Sequence, residues 1–99
     1  MANLIILYWR DIPAQIIVRA GRISAKRELS RRFIEAIDRC AMKSKASASE
    51  AYLEEWRRSD PAACGDDLES EADAAALRLE AEYDAGRLKA LVDLHGRAG

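Results

Sequence analysis

Leu4-Ile5-Ile6-Leu7-Tyr8-Trp9-Arg10-Asp11-Ile12-Pro13-Ala14-Gln15-Ile16-Ile17-Val18-Arg19-Ala20 is the stretch whose reading decides the fold. Leu4 to Trp9 is an unbroken apolar run of strand length, the pattern of a strand covered on both sides or set mid-sheet. Asp11 and Pro13 are turn residues, and proline cannot donate to a strand ladder. Gln15 to Ala20 then reads as a second strand, β-branched at Ile16, Ile17 and Val18. Two strands so close in sequence predict an antiparallel hairpin. Gly21 ends or bends the second strand.

Beyond Gly21 the period changes. Phe33, Ile34, Ile37, Cys40 and Ala41 share one helical face, while Arg31, Arg32, Glu35, Asp38 and Arg39 share the other. Ser30 is a suitable N-cap, so a helix is predicted over about 31–43, with an earlier start at Ser24 the alternative. Cys40 belongs to the apolar stripe and reads as a small buried hydrophobe. Residues 43–49 form a small, polar loop. Residues 51–58 carry two periodicities. A third strand there gives the sheet independent stability, and a helix is the competing reading. Pro61 ends the element either way.

The last third is helical and acidic. Asp66 and Glu69 open a helix in the manner of a capping box, and Leu68, Ala72, Ala75, Ala76, Leu79 and Tyr83 form its apolar face. Asp84 and Gly86 break it, and Leu88, Leu91 and Val92 mark a short final helix that fades at Leu94-His95-Gly96. The expected fold is therefore α+β, in the order β-β-α-β-α-α. It is a small antiparallel sheet with helices packed on one face.

The chain has 99 residues, a length for one core and one domain, 1–99. Its formal net charge of −1 conceals an asymmetry: residues 1–60 carry 12 basic and 8 acidic side chains, residues 61–99 only 4 and 9. Two such halves can neutralise each other on folding. The balanced total argues against a protein that coats nucleic acid. No apolar run approaches the length of a membrane span, and the first residues lack the basic start of a signal peptide. The two cysteines, Cys40 and Cys64, and the one histidine, His95, make neither a disulfide scaffold nor a zinc site, and a cytoplasmic protein is expected. Asp66, Asp67 and Glu69 read as helix-start acids without the alternating ligands of a calcium loop. No metal or cofactor is expected.

Two groups of residues carry functional expectations. Tyr8-Trp9-Arg10-Asp11-Ile12-Pro13 is echoed by Trp56-Arg57-Arg58-Ser59-Asp60-Pro61, each with Trp-Arg, then Asp, then Pro. If the two strands are neighbours, two Trp-Arg pairs meet at one end of the sheet. Trp and Arg are enriched in protein interfaces. Trp9, Arg10, Asp11, Trp56, Arg57 and Arg58 are thus the candidate partner-binding residues, with core tryptophans and rim arginines as the plainer reading. The alternative is an anion site on Arg19, Arg22, Lys26, Arg27 and Arg31, at a strand-to-helix junction. An enzyme would have to work with carboxylates, Tyr8, Tyr52, Tyr83 or Cys64, since the one histidine lies in the tail. A helix N-terminus favours the Cys64 thiolate, and Asp66 and Asp67 oppose it. The alanine-rich stretch 67–83 suits a homodimer contact as readily as an intramolecular one.

With Tyr8-Trp9-Arg10-Asp11-Ile12-Pro13-Ala14-Gln15, Arg32-Phe33, Ala36-Ile37-Asp38, Ala41-Met42 and Tyr52-Leu53-Glu54-Glu55-Trp56, the chain resembles the bacterial "virulence factor" domain family. The resemblance covers about residues 3–94. It implies a stand-alone proteobacterial version of a domain that, in some relatives, is fused to a module like the N-terminal part of Nfu/NifU iron–sulfur scaffold proteins. It implies an accessory protein, without catalytic residues to carry over. The expected partner is a larger metabolic enzyme or carrier, in one-carbon or corrinoid methyl transfer or in iron–sulfur metabolism.

Overall fold

The computed structural model describes residues 2–44 and 49–97. The elements follow as β1 (Ala2–Trp9), β2 (Ile12–Ala20), β3 (Ile23–Glu28), α1 (Arg31–Lys43), α2 (Ser49–Glu54), β4 (Trp56–Arg58), β5 (Ala62–Cys64), α3 (Leu68–Glu82) and α4 (Ala85–Asp93). All strand pairings are antiparallel, in the order β3-β2-β1-β4, with β5 pairing further along β1. The α+β class holds, and α1 spans the residues expected from its period.

Three local expectations are corrected. The hairpin turn is only Arg10-Asp11, with Arg10 at a φ of 53°, and Pro13 lies inside β2 opposite Tyr8. The register shift between Leu7 and Tyr8 accommodates it, because a bulge leaves a position where no ladder donor is needed. Residues 23–28 are a strand rather than a loop or an early helical turn. Gly21, at a φ of 60°, opens the two-residue loop Gly21-Arg22, the place where a type II′ hairpin needs glycine. The 51–58 segment divides between both readings: α2 ends at Glu54 and β4 begins at Trp56.

Strand alternation gives the sheet two sides. Arg27 stands in one row with Ile6 and Ile16, and it pairs with Glu69 and Asp73 of α3. That row therefore faces the helices. Ile16, Val18, Ala25, Phe33, Ile37, Cys40, Ala72, Ala75 and Leu79 fill the core on this side. The opposite, open side carries the rows Asn3-Arg19-Ser24, Ile5-Ile17-Lys26 and Leu7-Gln15-Glu28, with Arg58 beside Leu7.

The basic and acidic halves do neutralise each other. Arg32 donates to the backbone carbonyls of Glu80 and Tyr83 at the end of α3 and pairs with the Glu80 carboxylate at 2.9 Å. A cation suits that helix end. Ser30 stands at the N-cap of α1, but its own side chain does not cap the helix. Its N–H and hydroxyl instead donate to Glu80. In α3 the capping residue is Asp67, which accepts from the Ser70 N–H, so the helix start lies one residue beyond the expected Asp66.

The tail does not fade. Gly96 N–H donates to the Leu91 carbonyl and His95 N–H to that of Val92, a Schellman closure of α4 with His95 in the left-handed region. Gly96 then accepts from Asp11 N–H at 2.8 Å, and His95 accepts from Arg10 Nη1. The end of α4 is thereby tied to the β1–β2 turn.

Candidate functional site

The expected Trp-Arg corner assembles. β1 and β4 are neighbours, with Trp9 opposite Trp56, Tyr8 opposite Arg57 and Leu7 opposite Arg58. Its members then take different roles. Trp9 is fully buried and its indole N–H donates to the Tyr52 carbonyl at 2.9 Å. The Arg10 guanidinium lies 4.9 Å over the Trp9 ring, donates to Ser44 and His95, and keeps only 11% exposure. Its Nε lies 3.2 Å from Glu55 without hydrogen-bond geometry. Trp9 and Arg10 thus hold the corner together from inside.

Alternation along β4 sends the remaining members to opposite sides. Arg57 goes to the helix side, where it covers the Tyr8 ring at 4.6 Å. It donates to the Arg10 carbonyl and to Asp11, both at 3.0 Å. Arg58 and the half-buried Trp56 go the other way. Trp56 lines a hollow of about 430 Å³ with Leu7, Leu29 and the exposed Ile34 of α1.

The segment expected to bind anions is dispersed by β3. Arg27 faces the helices and is neutralised by Glu69 and Asp73; those hydrogen bonds raise its pKa further. Arg31 pairs with Glu35 at 3.6 Å. Arg22 sits in the β2–β3 turn. Arg19 and Lys26 stand on the open side, exposed, Lys26 in the row of Ile17 and Arg19 in the next. Neither they nor Arg58 form an ion pair among the described residues. The open side therefore gathers Arg19 and Lys26 from one expected group with Arg58 and Trp56 from the other.

On the helix side, Arg57 and Asp11 open into a cleft of about 600 Å³ that runs to α4. Its other polar walls are Tyr8, Ser59, Asp60, Tyr83 and Arg87. Sequence reading singled out the two tyrosines only as possible acid–base groups and did not find Arg87. Burial pushes the Tyr8 hydroxyl above its ordinary pKa of 10.0; Tyr83, Glu82 and Asp11 add to the rise and Arg57 opposes it. Tyr52 is likewise raised, by burial and then by Asp38, against a hydrogen bond with Trp56. Neither is a base poised near neutrality. The Cys64 thiol in β5 is also raised, by burial, Glu71 and Asp66, which removes the activated thiolate that its position before α3 suggested. Among the described residues, no group of three or more His, Cys, Asp or Glu side chains could hold a metal ion. No helix among them is long and apolar enough to cross a membrane.

The family model described as "Virulence factor" matches residues 7–92 of the chain. No curated protein and no solved structure gives a significant match.

Proposed function

The chain belongs to the virulence factor family, and from that premise we propose that it acts as a non-catalytic accessory protein whose open sheet side docks a larger metabolic enzyme or carrier protein. The observation that supports this reading is the grouping of Arg19, Lys26 and Arg58 around Ile5, Ile17 and Leu7, beside the Trp56–Ile34 hollow. These residues come from four strands, and the cations make no ion pair among the described residues. Ile5 and Ile17 are buried beneath this side, so its surface is made by the exposed cations and the half-buried Trp56, and it fits an acidic partner surface. Methyl transfer or iron–sulfur metabolism is the setting that family resemblance suggests.

The test is a pull-down from host lysate, run with and without nuclease, with the wild type and an R19E/K26E/R58E variant as baits of equal circular dichroism. A protein held by the wild type and lost from the variant supports the open side as the docking face. Equal capture by both baits overturns it. Capture that disappears with nuclease moves the assignment to nucleic acid, whose binding falls steeply with salt.

A further inference from the structure

The cleft on the helix side has a charge pattern that the docking reading leaves unused. Arg57 is satisfied by Asp11 and by the Arg10 carbonyl. Arg87 lies 4.1 Å over the Tyr83 ring and donates to the Glu82 carbonyl at 3.2 Å, but forms no ion pair among the described residues. Asp60, on the same cleft, forms none either. The cleft thus presents one uncompensated cation and one uncompensated anion on separate elements. α4 and its C-cap residue add an apolar wall to the same cleft, with Leu91 buried and Leu94 56% exposed. The Tyr83 stack and the carbonyl contact hold the Arg87 guanidinium in place, which lowers the entropy lost when it takes a ligand. A volume of about 600 Å³ lies within the range of small-molecule sites.

We infer that this cleft binds a zwitterionic small molecule with an apolar body, of the class of free α-amino acids with aliphatic or aromatic side chains. The carboxylate accepts from Arg87, the ammonium donates to Asp60, and the side chain covers Leu91 and Leu94. A simple anion leaves Asp60 unanswered and a simple amine leaves Arg87 unanswered, so the pair selects for both charges in one ligand. The site lies on the opposite side of the sheet from Arg19, Lys26 and Arg58. Ligand binding and partner docking are therefore separable, and the R19E/K26E/R58E variant retains the ligand.

The experiment is amide-resolved NMR titration of the full chain with L-leucine, glycine, 4-methylpentanoate (the carboxylate alone) and isoamylamine (the ammonium alone). L-leucine is expected to shift resonances of α4 and of residues 57–60 saturably. Each single-charge analogue and glycine should bind at least about tenfold more weakly, since each loses one charge-assisted contact or the apolar one. The variants D60N and R87Q alter exposed side chains and should keep the wild-type spectrum. D60N should lose its preference for L-leucine over 4-methylpentanoate, and R87Q its preference over isoamylamine. A merely structural role for either residue would not exchange specificity in this way. Absence of saturable shifts with L-leucine, or unchanged preferences in both variants, overturns the inference.

Discussion

Replacing Gly96 with alanine tests the closure of the tail on the first hairpin. Gly96 is buried at a φ of 82°, and a Cβ there would stand 2.9 Å from Cys40 Sγ and 3.2 Å from Arg10 Cδ. Two costs combine. An L-residue in the left-handed region loses about 1–2 kcal/mol, and forcing a methyl group into filled space costs about 1–3 kcal/mol. Cys40 is fully buried in α1 and cannot withdraw, so the sum for G96A is about 2–5 kcal/mol. For a chain of this size each kcal/mol lowers Tm by about 4–8 °C, so a fall of roughly 8–40 °C is expected. Gly21 supplies the control. Its φ is also positive, at 60°, but a Cβ there meets nothing within 4 Å. G21A should therefore lose only the backbone part, about 1–2 kcal/mol. The assay is urea and thermal unfolding followed by circular dichroism. Equal destabilisation in G96A and G21A would refute the steric part of the reasoning, and a Gly96 variant as stable as the wild type would refute all of it.

The capping assignment in α3 predicts that D67A costs about 1 kcal/mol in urea unfolding, whereas D66A changes little, because the side chain of Asp67 accepts the Ser70 N–H. The raised Tyr8 pKa sets a direction at high pH. Burial favours the neutral phenol, so its contribution to stability is complete below the ordinary value of 10.0 and is lost as pH rises through that value and beyond. Melting temperature should fall less steeply above about pH 10 in Y8F than in the wild type; parallel curves for the two proteins would count against the assignment.

The legible parts of the fold are those where one period dominates. Phe33, Ile37 and Cys40 repeat at helical spacing next to a good N-cap position, and α1 follows with its expected ends. The hairpin β1–β2 is legible from two apolar runs. Residues 23–28 are not, since Ile-Ser-Ala-Lys-Arg-Glu has no strong β propensity. It is a strand because the Gly21 turn returns it along β2 and because Ala25 and Arg27 find α3 on one side. Both reasons are tertiary. Residues 51–58 carry two periods because they span two elements, and neither pattern is long enough to dominate.

The candidate sites were half legible for a different reason. Residue types pointed correctly to the Trp-Arg echo, and the two segments do pair. What sequence adjacency concealed is that neighbours on a strand face opposite ways. Arg57 and Arg58 read as one basic pair, yet Arg57 stacks on Tyr8 in the cleft while Arg58 stands beside Leu7 on the open side. Arg27 and Lys26 divide in the same manner, one neutralised by α3 and the other left exposed. The same alternation puts Arg19 and Arg58, distant in sequence, on one side of the sheet, while Asp60, in the β4–β5 connection, and Arg87, in α4, both line the cleft on the other. A shift of β4 by one residue against β1 would exchange these assignments. The register Tyr8–Arg57 is therefore the structural fact on which the proposed docking face and the proposed ligand cleft both depend.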